Sequence, residues 1–312
     1  MREMMLKIRN IGIVVLGMLG VVGCTLTEKL DVEINMKPTL LLDFPAEDRV
    51  RTLHALAYTA EGVFVDSLRL DHPSLRGATK AAEGGEAVPD TLLAGVPEGE
   101  YRVVCYANLD QAKMAELVKG SSTLSQLEVV FATDKEYDCA DELYHSVGTA
   151  TVRRGRPARM QPGMKPGHYQ VKLTLQRDED DMTPVEDYSA RLISVPDKVD
   201  GEGKAQMSAV AGGGGGEACC FTPDFATDEE AGRRTAEFFM SRFGDDHGVK
   251  LVLYKRGVEI ARVPVLPSAC GVDPANAEQV ELPILIEIAI DKIMITILDW
   301  NTVIVQNAGV GG

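Results

Sequence analysis

The chain has 312 residues, with 32 Lys and Arg against 47 Asp and Glu, so its formal net charge is −15. An acidic chain of this kind repels phosphate backbones, which excludes nucleic acid as the predicted partner. The length exceeds the usual size of one domain and predicts two. Thirty Gly and fifteen Pro residues, many at the ends of short apolar runs, favour β-structure with tight turns.

The N-terminus is typical of a lipoprotein export signal. Three basic residues precede the apolar run 11–22, which is shorter than the roughly 20 residues of a membrane-spanning helix. Val21-Val22-Gly23-Cys24 ends this run and resembles the bacterial lipoprotein box, whose cysteine is acylated and becomes the first mature residue. We therefore predict a signal peptide over 1–23 and membrane attachment through lipid on Cys24. An ordinary signal peptide with a cysteine nearby is the alternative.

An N-terminal β-sandwich domain is predicted over 24–152. The apolar residues of 32–36 alternate with polar ones, as in a half-buried strand, and Pro38 interrupts the pattern before Leu40-Leu41-Leu42. A proline within such a run is typical of edge strands. We therefore predict that this first strand is broken or lies at a sheet edge.

Turn signals place further strands in this domain. The apolar runs 53–58 and 63–70 flank Ala60-Glu61-Gly62 and predict a hairpin. Residues 110–118 predict a short helix. A turn over 97–99 begins a strand whose one face carries Tyr101, Val103 and Cys105.

A linker is predicted over 153–167, which has three prolines and no periodicity. The second predicted β-sandwich domain spans 168–312. It begins with apolar residues at every second position from 169 to 175, the clearest strand pattern in the chain. The acidic segment 178–181 and the glycine run 212–216 are interpreted as loops, because neither has the frame of a calcium or phosphate site.

The rest of this domain predicts more strands, with two questions left open. Residues 227–243 begin like a helix capping box but could also end in a strand. Lys255-Arg256-Gly257 predicts a hairpin turn, and the isoleucine-rich runs 284–290 and 293–297 predict a hairpin at the centre of a sandwich. The tail 303–312 is either a donor strand for a neighbouring subunit or the end of the last strand.

Six cysteines are present, and five remain if Cys24 carries lipid. In an oxidising compartment, one predicted bridge joins Cys105 to Cys139 and a second joins Cys219 or Cys220 to Cys270, although sequence alone leaves the connectivity open. The adjacent Cys219-Cys220 pair lacks the spacing of a zinc site.

No motif for chemistry stands out. None of the five His residues belongs to a zinc-type pair or follows a nucleophile motif. Asp245-Asp246-His247-Gly248 is the best catalytic candidate, but it directly precedes a strand and is interpreted as a turn. We therefore predict no catalytic residue, no metal site, no cofactor and no enzymatic activity. The 8 Phe, 8 Tyr and 1 Trp are few for a glycan-binding cleft.

Several segments, in this order and spacing, are similar to the fimbrillin anchor lipoproteins of Bacteroidales. The resemblance covers most of the mature chain, although the glycine run and the Arg-rich linker lie outside the pattern. After the lipoprotein box, it rests on Ala60-Glu61-Gly62-Val63, Pro97-x-Gly99-x-Tyr101-Arg102-Val103-Val104, Tyr106-Ala107-Asn108-Leu109, Asp141-Glu142-Leu143-Tyr144-His145 and Ile295-Thr296-Ile297-Leu298-Asp299-Trp300.

This resemblance implies a mainly β protein with two transthyretin-like antiparallel sandwiches, at the cell-proximal base of a type V fimbria on the outer membrane. In that family, stalk subunits lose their first strand after cleavage at an arginine, and a strand from a neighbour fills the groove. An anchor is thought to keep its first strand. Such exchange is β-augmentation, in which main-chain hydrogen bonds give affinity and alternate side chains fill pockets.

Arg49 and Arg51 are the first arginines after Cys24, and they follow the predicted first strand. Cleavage at either would separate the sandwich from its lipid, so the hypothesis is that both are spared. The predicted function is then an outer-membrane lipoprotein that anchors a fimbria through a stalk subunit and limits its length. The alternatives are a tip or accessory subunit processed at Arg49 or Arg51, and a surface glycan-binding lipoprotein.

Overall fold

The computed structural model describes residues 39–42, 50–71, 92–94, 96–133, 136–137, 141–155, 158–179, 183–208, 219–288, 293–297 and 303–306. Short 3-10 helices span Leu124–Gln126, Val185–Asp187, Asp245–His247 and Pro267–Cys270. The strands are β1 Thr39–Leu42, β2 Thr52–Thr59, β3 Phe64–Asp71, β4 Leu92–Ala94, β5 Gly99–Ala107, β6 Lys113–Met114, β7 Glu128–Val130, β8 Ala132–Thr133, β9 Glu136–Tyr137, β10 Tyr144–Val152, β11 Ala158–Met160, β12 Lys165–Pro166, β13 His168–Arg177, β14 Tyr188–Ile193, β15 Lys198–Asp200, β16 Ala205–Gln206, β17 Cys220–Phe221, β18 Ala226–Asp228, β19 Arg233–Ser241, β20 Lys250–Lys255, β21 Val258–Pro264, β22 Glu281–Ile288, β23 Ile293–Ile297 and β24 Val303–Gln306.

The first sandwich pairs a three-stranded sheet with a five-stranded one. The strand order is β11-β1-β4 in the small sheet and β12-β10-β5-β2-β3 in the large one. Leu40 and Leu42 of β1 share a buried cluster with Leu53 of β2 and with Val103 and Cys105 of β5. The predicted face of β5 therefore points into this core.

The second sandwich is built from two six-stranded sheets. Their orders are β18-β19-β13-β22-β23-β24 and β21-β20-β14-β17-β9-β8. Between them lie alternate residues of β13 and β22, such as Leu173 and Ile284, which are 1% and 2% exposed and pack in one cluster with Leu192 and Leu251. The period-2 pattern of β13 and the central place of β22 are both confirmed.

A four-stranded sheet has the order β16-β15-β7-β6. Its Val129 and Val199 belong to the same core cluster as Tyr58 and Tyr106, which lie on the second face of the five-stranded sheet. That sheet is therefore buried on both faces. This explains why β2 and β5 have nearly continuous buried runs in place of a strict alternation.

Both predicted hairpin turns are confirmed. β2 and β3 join through the turn at Gly62, which has a φ of 82°. β20 and β21 join through Arg256 and Gly257, whose φ angles of 49° and 78° are both positive. Two successive positive φ angles are typical of the tight type I′ hairpin turn.

The helix predicted over 110–118 is wrong. Lys113 and Met114 instead pair with Val130 and Val129 of β7. Because this segment pairs with β7, which follows later in the chain, the tertiary pairing overrides its local helical pattern. Of the two interpretations of 227–243, the strand is correct, because β18 and β19 form a hairpin that ends at Ser241.

Residues 153–167, the predicted linker, contribute strands to the first sandwich. β11 pairs with β1, and β12 pairs with β10. Two sheets also contain strands from both sides of this segment, since β9 pairs with β17 and β7 pairs with β15. The domain boundaries 24–152 and 168–312 therefore stay predictions.

The two predicted disulfide bridges are wrong. Cys105 is a free thiol in the core between the sheets of the first sandwich. Cys270 is also a free thiol, and its Sγ donates to the carbonyl oxygen of Leu266 at 3.2 Å. Burial raises the pKa of both thiols to about 12, so they carry little thiolate at neutral pH.

Candidate functional site

The first described strand, β1, fills the centre of its sheet. It pairs in parallel with β11, where Leu40 lies opposite Ala158, and antiparallel with β4, where Leu40 lies opposite Leu93. The side chains of Leu40 and Leu42 are 1% and 0% exposed. This part of the first strand is therefore central, whereas Pro38 led us to predict a broken or edge strand; residues 32–38 lie outside the described residues.

Loss of β1 would open a groove in the first sandwich. In the part of the chain that the structure describes, β1 is the sheet neighbour that β11 and β4 share. Burial of each leucine side chain contributes about 1.5–3 kcal/mol, so Leu40 and Leu42 together contribute about 3–6 kcal/mol. Without β1, two short strands would be left with unpaired edges and an uncovered apolar floor.

Arg51 directly precedes β2, which is a strand of this sandwich. Its side chain is 51% exposed, and its Nη2 forms an ion pair with Oδ2 of Asp110 at 3.2 Å. An exposed pair of this kind contributes about 0–1 kcal/mol. The backbone N–H of Arg51 donates to Oδ1 of Asn108 at 2.6 Å, and the N–H of Asn108 donates to the carbonyl oxygen of Thr52 at 2.9 Å. The Arg51–Thr52 peptide is therefore held on both sides.

Asn108 joins two motifs that lie apart in the sequence. It is fully buried with a φ of 61°, and its Nδ2 donates to the carbonyl oxygen of Glu142 at 3.0 Å. Asp141 accepts the backbone N–H groups of Gln111 and Ala112 at 2.9 and 3.0 Å. Sequence reasoning gave Asn108 no role; the signal that was available is the tolerance of Asn for positive φ at the end of a strand.

The other predicted positions have separate outcomes. Cys24 and Arg49 lie outside the described residues, as does the glycine run 212–216. Within the described ranges, no group of three or more His, Cys, Asp or Glu residues is placed to hold a metal ion. No helix among those residues is long and apolar enough to cross a membrane.

The catalytic candidate Asp245–His247 forms a 3-10 turn. Asp245 accepts the backbone N–H of Ser268 at 3.1 Å and also the hydroxyl of Ser268. Nδ1 of His247 accepts the backbone N–H of Gly244 at 3.0 Å. The Asp245–Ser268 hydrogen bonds connect the loops before β20 and after β21, and the His247–Gly244 bond closes the turn itself. Both agree with the interpretation of this segment as a turn.

His145 lies where the first sandwich meets the β15–β16 turn. Its ring packs on that of Tyr106 at a centroid distance of 4.9 Å, and its Nε2 is buried without a hydrogen-bond partner. Tyr106 donates its hydroxyl to the carbonyl oxygen of Asp200. Burial lowers the pKa of His145 to about 4, although a hydrogen bond with the backbone of Gly201 opposes this shift. The ring is therefore neutral at physiological pH.

Comparison with known proteins gives one family match. The model of the family described as "Fimbrillin-A associated anchor proteins Mfa1 and Mfa2" matches residues 41–305. A search of curated proteins finds no match.

Solved structures share the fold at low sequence identity. A candidate adhesin from Bacteroides ovatus is 12% identical with a TM-score of 0.65, covering 88% of this chain and 96% of its own. A candidate polysaccharide-binding protein from Bacteroides thetaiotaomicron is 12% identical with a TM-score of 0.63, covering 87% and 98%. The fimbrial anchor protein Mfa2 from Porphyromonas gingivalis is 14% identical with a TM-score of 0.60, covering 83% and 97%. At these identities the likeness shows the β-sandwich fold alone.

Proposed function

Since the chain belongs to the family of fimbrillin-A associated anchor proteins, we propose that it is a non-enzymatic outer-membrane lipoprotein that anchors a fimbria and limits its length. The observation that carries this proposal is the position of β1. Its two buried leucines fill the centre of the first sandwich, and it lies in the sequence between Cys24 and the first arginine after it. Among the described strands, the one that closes the sandwich is thus also the nearest in sequence to Cys24.

The lipid on Cys24 attaches this sandwich to the membrane. Fourteen residues lie between Cys24 and Thr39, the first residue of β1, so fifteen Cα–Cα steps connect the two. An extended chain spans at most about 3.3–3.6 Å per residue, so this tether reaches about 50 Å at full extension. Each buried methylene of an acyl chain contributes about 0.8 kcal/mol, and several chains together hold the protein firmly.

Arg49 and Arg51 are spared from cleavage in the mature protein. The geometry of Arg51 supports this, because a protease needs an extended backbone that it can detach. At Arg51 the flanking peptide groups are hydrogen-bonded to Asn108, which is itself buried. The groove of the first sandwich is then occupied by the protein's own strand, and no neighbouring strand can extend the filament through it.

A stalk subunit attaches through strand pairing at an exposed sheet edge. β24 lies at the end of a six-stranded sheet, where Val303–Gln306 pair with β23. The pairing supports an edge contact at β24, and a donor role for the tail is the alternative. Deletion of 301–312 should release fimbriae from cells whether β24 is an edge for pairing or the tail is a donor strand. If fimbriae stay firmly attached after this deletion, the stalk subunit binds at a different sheet edge.

The main test compares the natural protein with Cys24→Ser. The natural protein should fractionate with the outer membrane, and the variant should be lost from it while long fimbriae appear in the medium. Mass spectrometry of the mature protein should find residue 24 at the N-terminus. A mature N-terminus at Val50 or Thr52 would instead identify a tip or accessory subunit. Retention of filaments by the Cys24→Ser variant would refute the anchor proposal.

A further inference from the structure

Strand β10 has one side that is largely unpaired. Its other side pairs with β5 along all nine residues, without a register shift. On the first side, β12 pairs only with Tyr144 and His145. Among the described strands no further one pairs with β10, so residues 146–152 form an open edge, about 23 Å long at roughly 3.3 Å per residue.

The hydrogen-bond register shows which backbone groups face this open edge. The N–H of Asn108 donates to the carbonyl oxygen of Thr52, so even-numbered residues of β5 bond to β2 and odd-numbered ones bond to β10. Ser146 lies opposite Cys105, so the even-numbered residues of β10 are the ones that bond to β5. The N–H and C=O groups that point to the open edge belong to three exposed residues, Val147, Thr149 and Thr151.

The open edge lacks the features that protect other edges of this protein. Edge strands usually contain charged side chains, prolines or bulges, which prevent pairing with another chain. The edge strands β3 and β21 each have a register shift, and each contains charged residues. Residues 146–152 have the sequence SVGTATV, without a charge or a proline, and their pairing with β5 is regular. A further strand can therefore pair with this edge.

Basic side chains flank the open edge, although the chain as a whole is acidic. Residues 153–167, which follow β10, include five Lys and Arg and no Asp or Glu, whereas the net charge of the chain is −15. Arg153 directly follows β10, and Lys165 lies opposite His145 at the other end of the open edge. Both side chains are exposed, and neither forms an ion pair within the described part of the chain. An incoming strand thus meets one unpaired cation at each end.

The nearby acidic groups do not neutralise these two cations. Glu98 forms an ion pair with Arg154, with Oε1 3.8 Å from Nε, and it also accepts the backbone N–H of Arg154 at 2.7 Å. Glu100 lies opposite Thr151 on β5, one strand further from the open edge. The ends of the open edge therefore favour negative side chains on a partner.

We propose that the open edge of β10 binds an extended segment of a partner protein that is uncharged at its centre and has Asp or Glu at both ends. Main-chain hydrogen bonds to the exposed side of β10 supply the affinity, and Arg153 and Lys165 fix the position of the segment. A second copy of this chain does not fit, because pairing of two β10 strands in either direction brings like charges together at the ends. β10 lies in a different sheet from β1 and β24, so the inference holds whether or not the chain anchors a fimbria.

The test measures the binding of short fluorescent peptides to the mature protein by anisotropy. The probe is acetyl-Glu-Glu-Val-Thr-Val-Thr-Val-Glu-Glu-amide, and its controls have Gln or Lys in place of every Glu. We expect a Kd on the order of 0.1–1 mM for the Glu peptide, about tenfold weaker binding of the Gln peptide and no saturation by the Lys peptide. A Glu peptide that is N-methylated at its central residues keeps the charges but cannot form the main-chain hydrogen bonds, and it should not bind.

Hydrogen exchange at single-residue resolution locates the bound peptide. In the protein alone, the N–H groups of Val147, Thr149 and Thr151 should exchange rapidly, whereas those of Gly148 and Ala150, which bond to β5, should exchange slowly. The Glu peptide should slow exchange at the first three positions by at least about tenfold and leave the other two unchanged. This alternation distinguishes strand pairing from a contact with side chains alone.

A double variant tests the two cations. Arg153→Gln combined with Lys165→Gln should weaken the Glu peptide by about tenfold and leave the Gln peptide unaffected. The matched control, Lys172→Gln combined with Arg233→Gln, removes two exposed cations from the second sandwich and should change the affinity by less than about twofold.

Several results would overturn the proposal. These are equal binding of the Glu and Lys peptides, undiminished binding of the N-methylated peptide, and no saturation by the Glu peptide up to about 10 mM. Protection at Val303–Gln306 in place of β10 would assign the peptide to β24. Protection of the three N–H groups by self-association of the protein alone would assign the open edge to a second copy.

Discussion

Gly203 lies in the turn between β15 and β16, close to His145 of β10. One methyl group added at Gly203 should show how closely this turn approaches β10. A Cβ at Gly203 would lie 2.4 Å from Nδ1, 2.7 Å from Cε1 and 2.8 Å from Cγ of His145. Real Cβ atoms essentially never come this near, and the imidazole is confined by the ring of Tyr106 behind it. Gly203 also has a φ of 74°, which costs a residue with a Cβ about 1–2 kcal/mol. The overlap adds about 1–3 kcal/mol, as in an overpacked core.

We therefore expect Gly203→Ala to lower the free energy of unfolding by about 2–5 kcal/mol in urea denaturation. Gly120→Ala is a matched control, because Gly120 has a φ of 73° and nothing within 4 Å of the added Cβ. Gly120→Ala should lower the free energy of unfolding only by the backbone cost of about 1–2 kcal/mol. The difference between the two variants measures the steric overlap with His145.

A double-mutant cycle isolates the contact itself. In a His145→Ala background the ring is absent, so Gly203→Ala should cost only the same about 1–2 kcal/mol as at Gly120. The coupling between the two sites should then be about 1–3 kcal/mol. If Gly203→Ala costs equally in both backgrounds, the close approach is not the cause and the reasoning fails.

Three further predictions concern the cores and the buried titratable groups. The pKa of His145 is about 4 in the folded protein against an ordinary 6.5, with Asp200, Glu202 and Arg102 around the ring. Because the unfolded chain takes up the proton first, the free energy of unfolding should fall by up to about 3 kcal/mol as the pH drops from about 6.5 to 4. His145→Gln should remove this pH dependence, as measured by urea denaturation at each pH. Leu42→Ala should cost about 2–5 kcal/mol, whereas Val258→Ala at a side chain 66% exposed should change stability by less than about 0.5 kcal/mol in the same assay. Cys105 and Cys270 should resist iodoacetamide in the native protein and react after unfolding, as read by mass spectrometry, and rapid native labelling of either would contradict their burial and raised pKa.

Local patterns predicted the strands that obey a simple period. β13 alternates buried and half-buried residues because one face meets the core, and the β20–β21 hairpin follows from a turn sequence ending in Gly257. The mainly β sandwich fold was therefore accessible from the sequence. The helix predicted over 110–118 failed because its conformation depends on Asp141 and on β7, both distant in the chain.

The candidate sites were harder to predict from the sequence, because they too depend on residues that are distant in the chain. In sequence, a cysteine such as Cys105 can be either a core packing residue or half of a disulfide bridge. The two are distinguished only by the folded structure, which places Cys105 in the core between two sheets. The open edge of β10 depends on its pairing with β5 and β12, and no local pattern shows which side of a strand is unpaired. The role of Leu40 and Leu42 became clear only from the strands on both sides of β1.

The parallel pairing of β1 with β11 has a consequence for biogenesis. Leu40 lies opposite Ala158, so more than a hundred residues must emerge after β1 before its second neighbour exists. Contacts with such large sequence separation form slowly, and an apolar strand without its partner is exposed to wrong pairings in the meantime. Among the described strands, β1 is thus synthesised first and waits for later ones, and a holdase that shields residues 39–42 would raise the yield of correctly closed molecules.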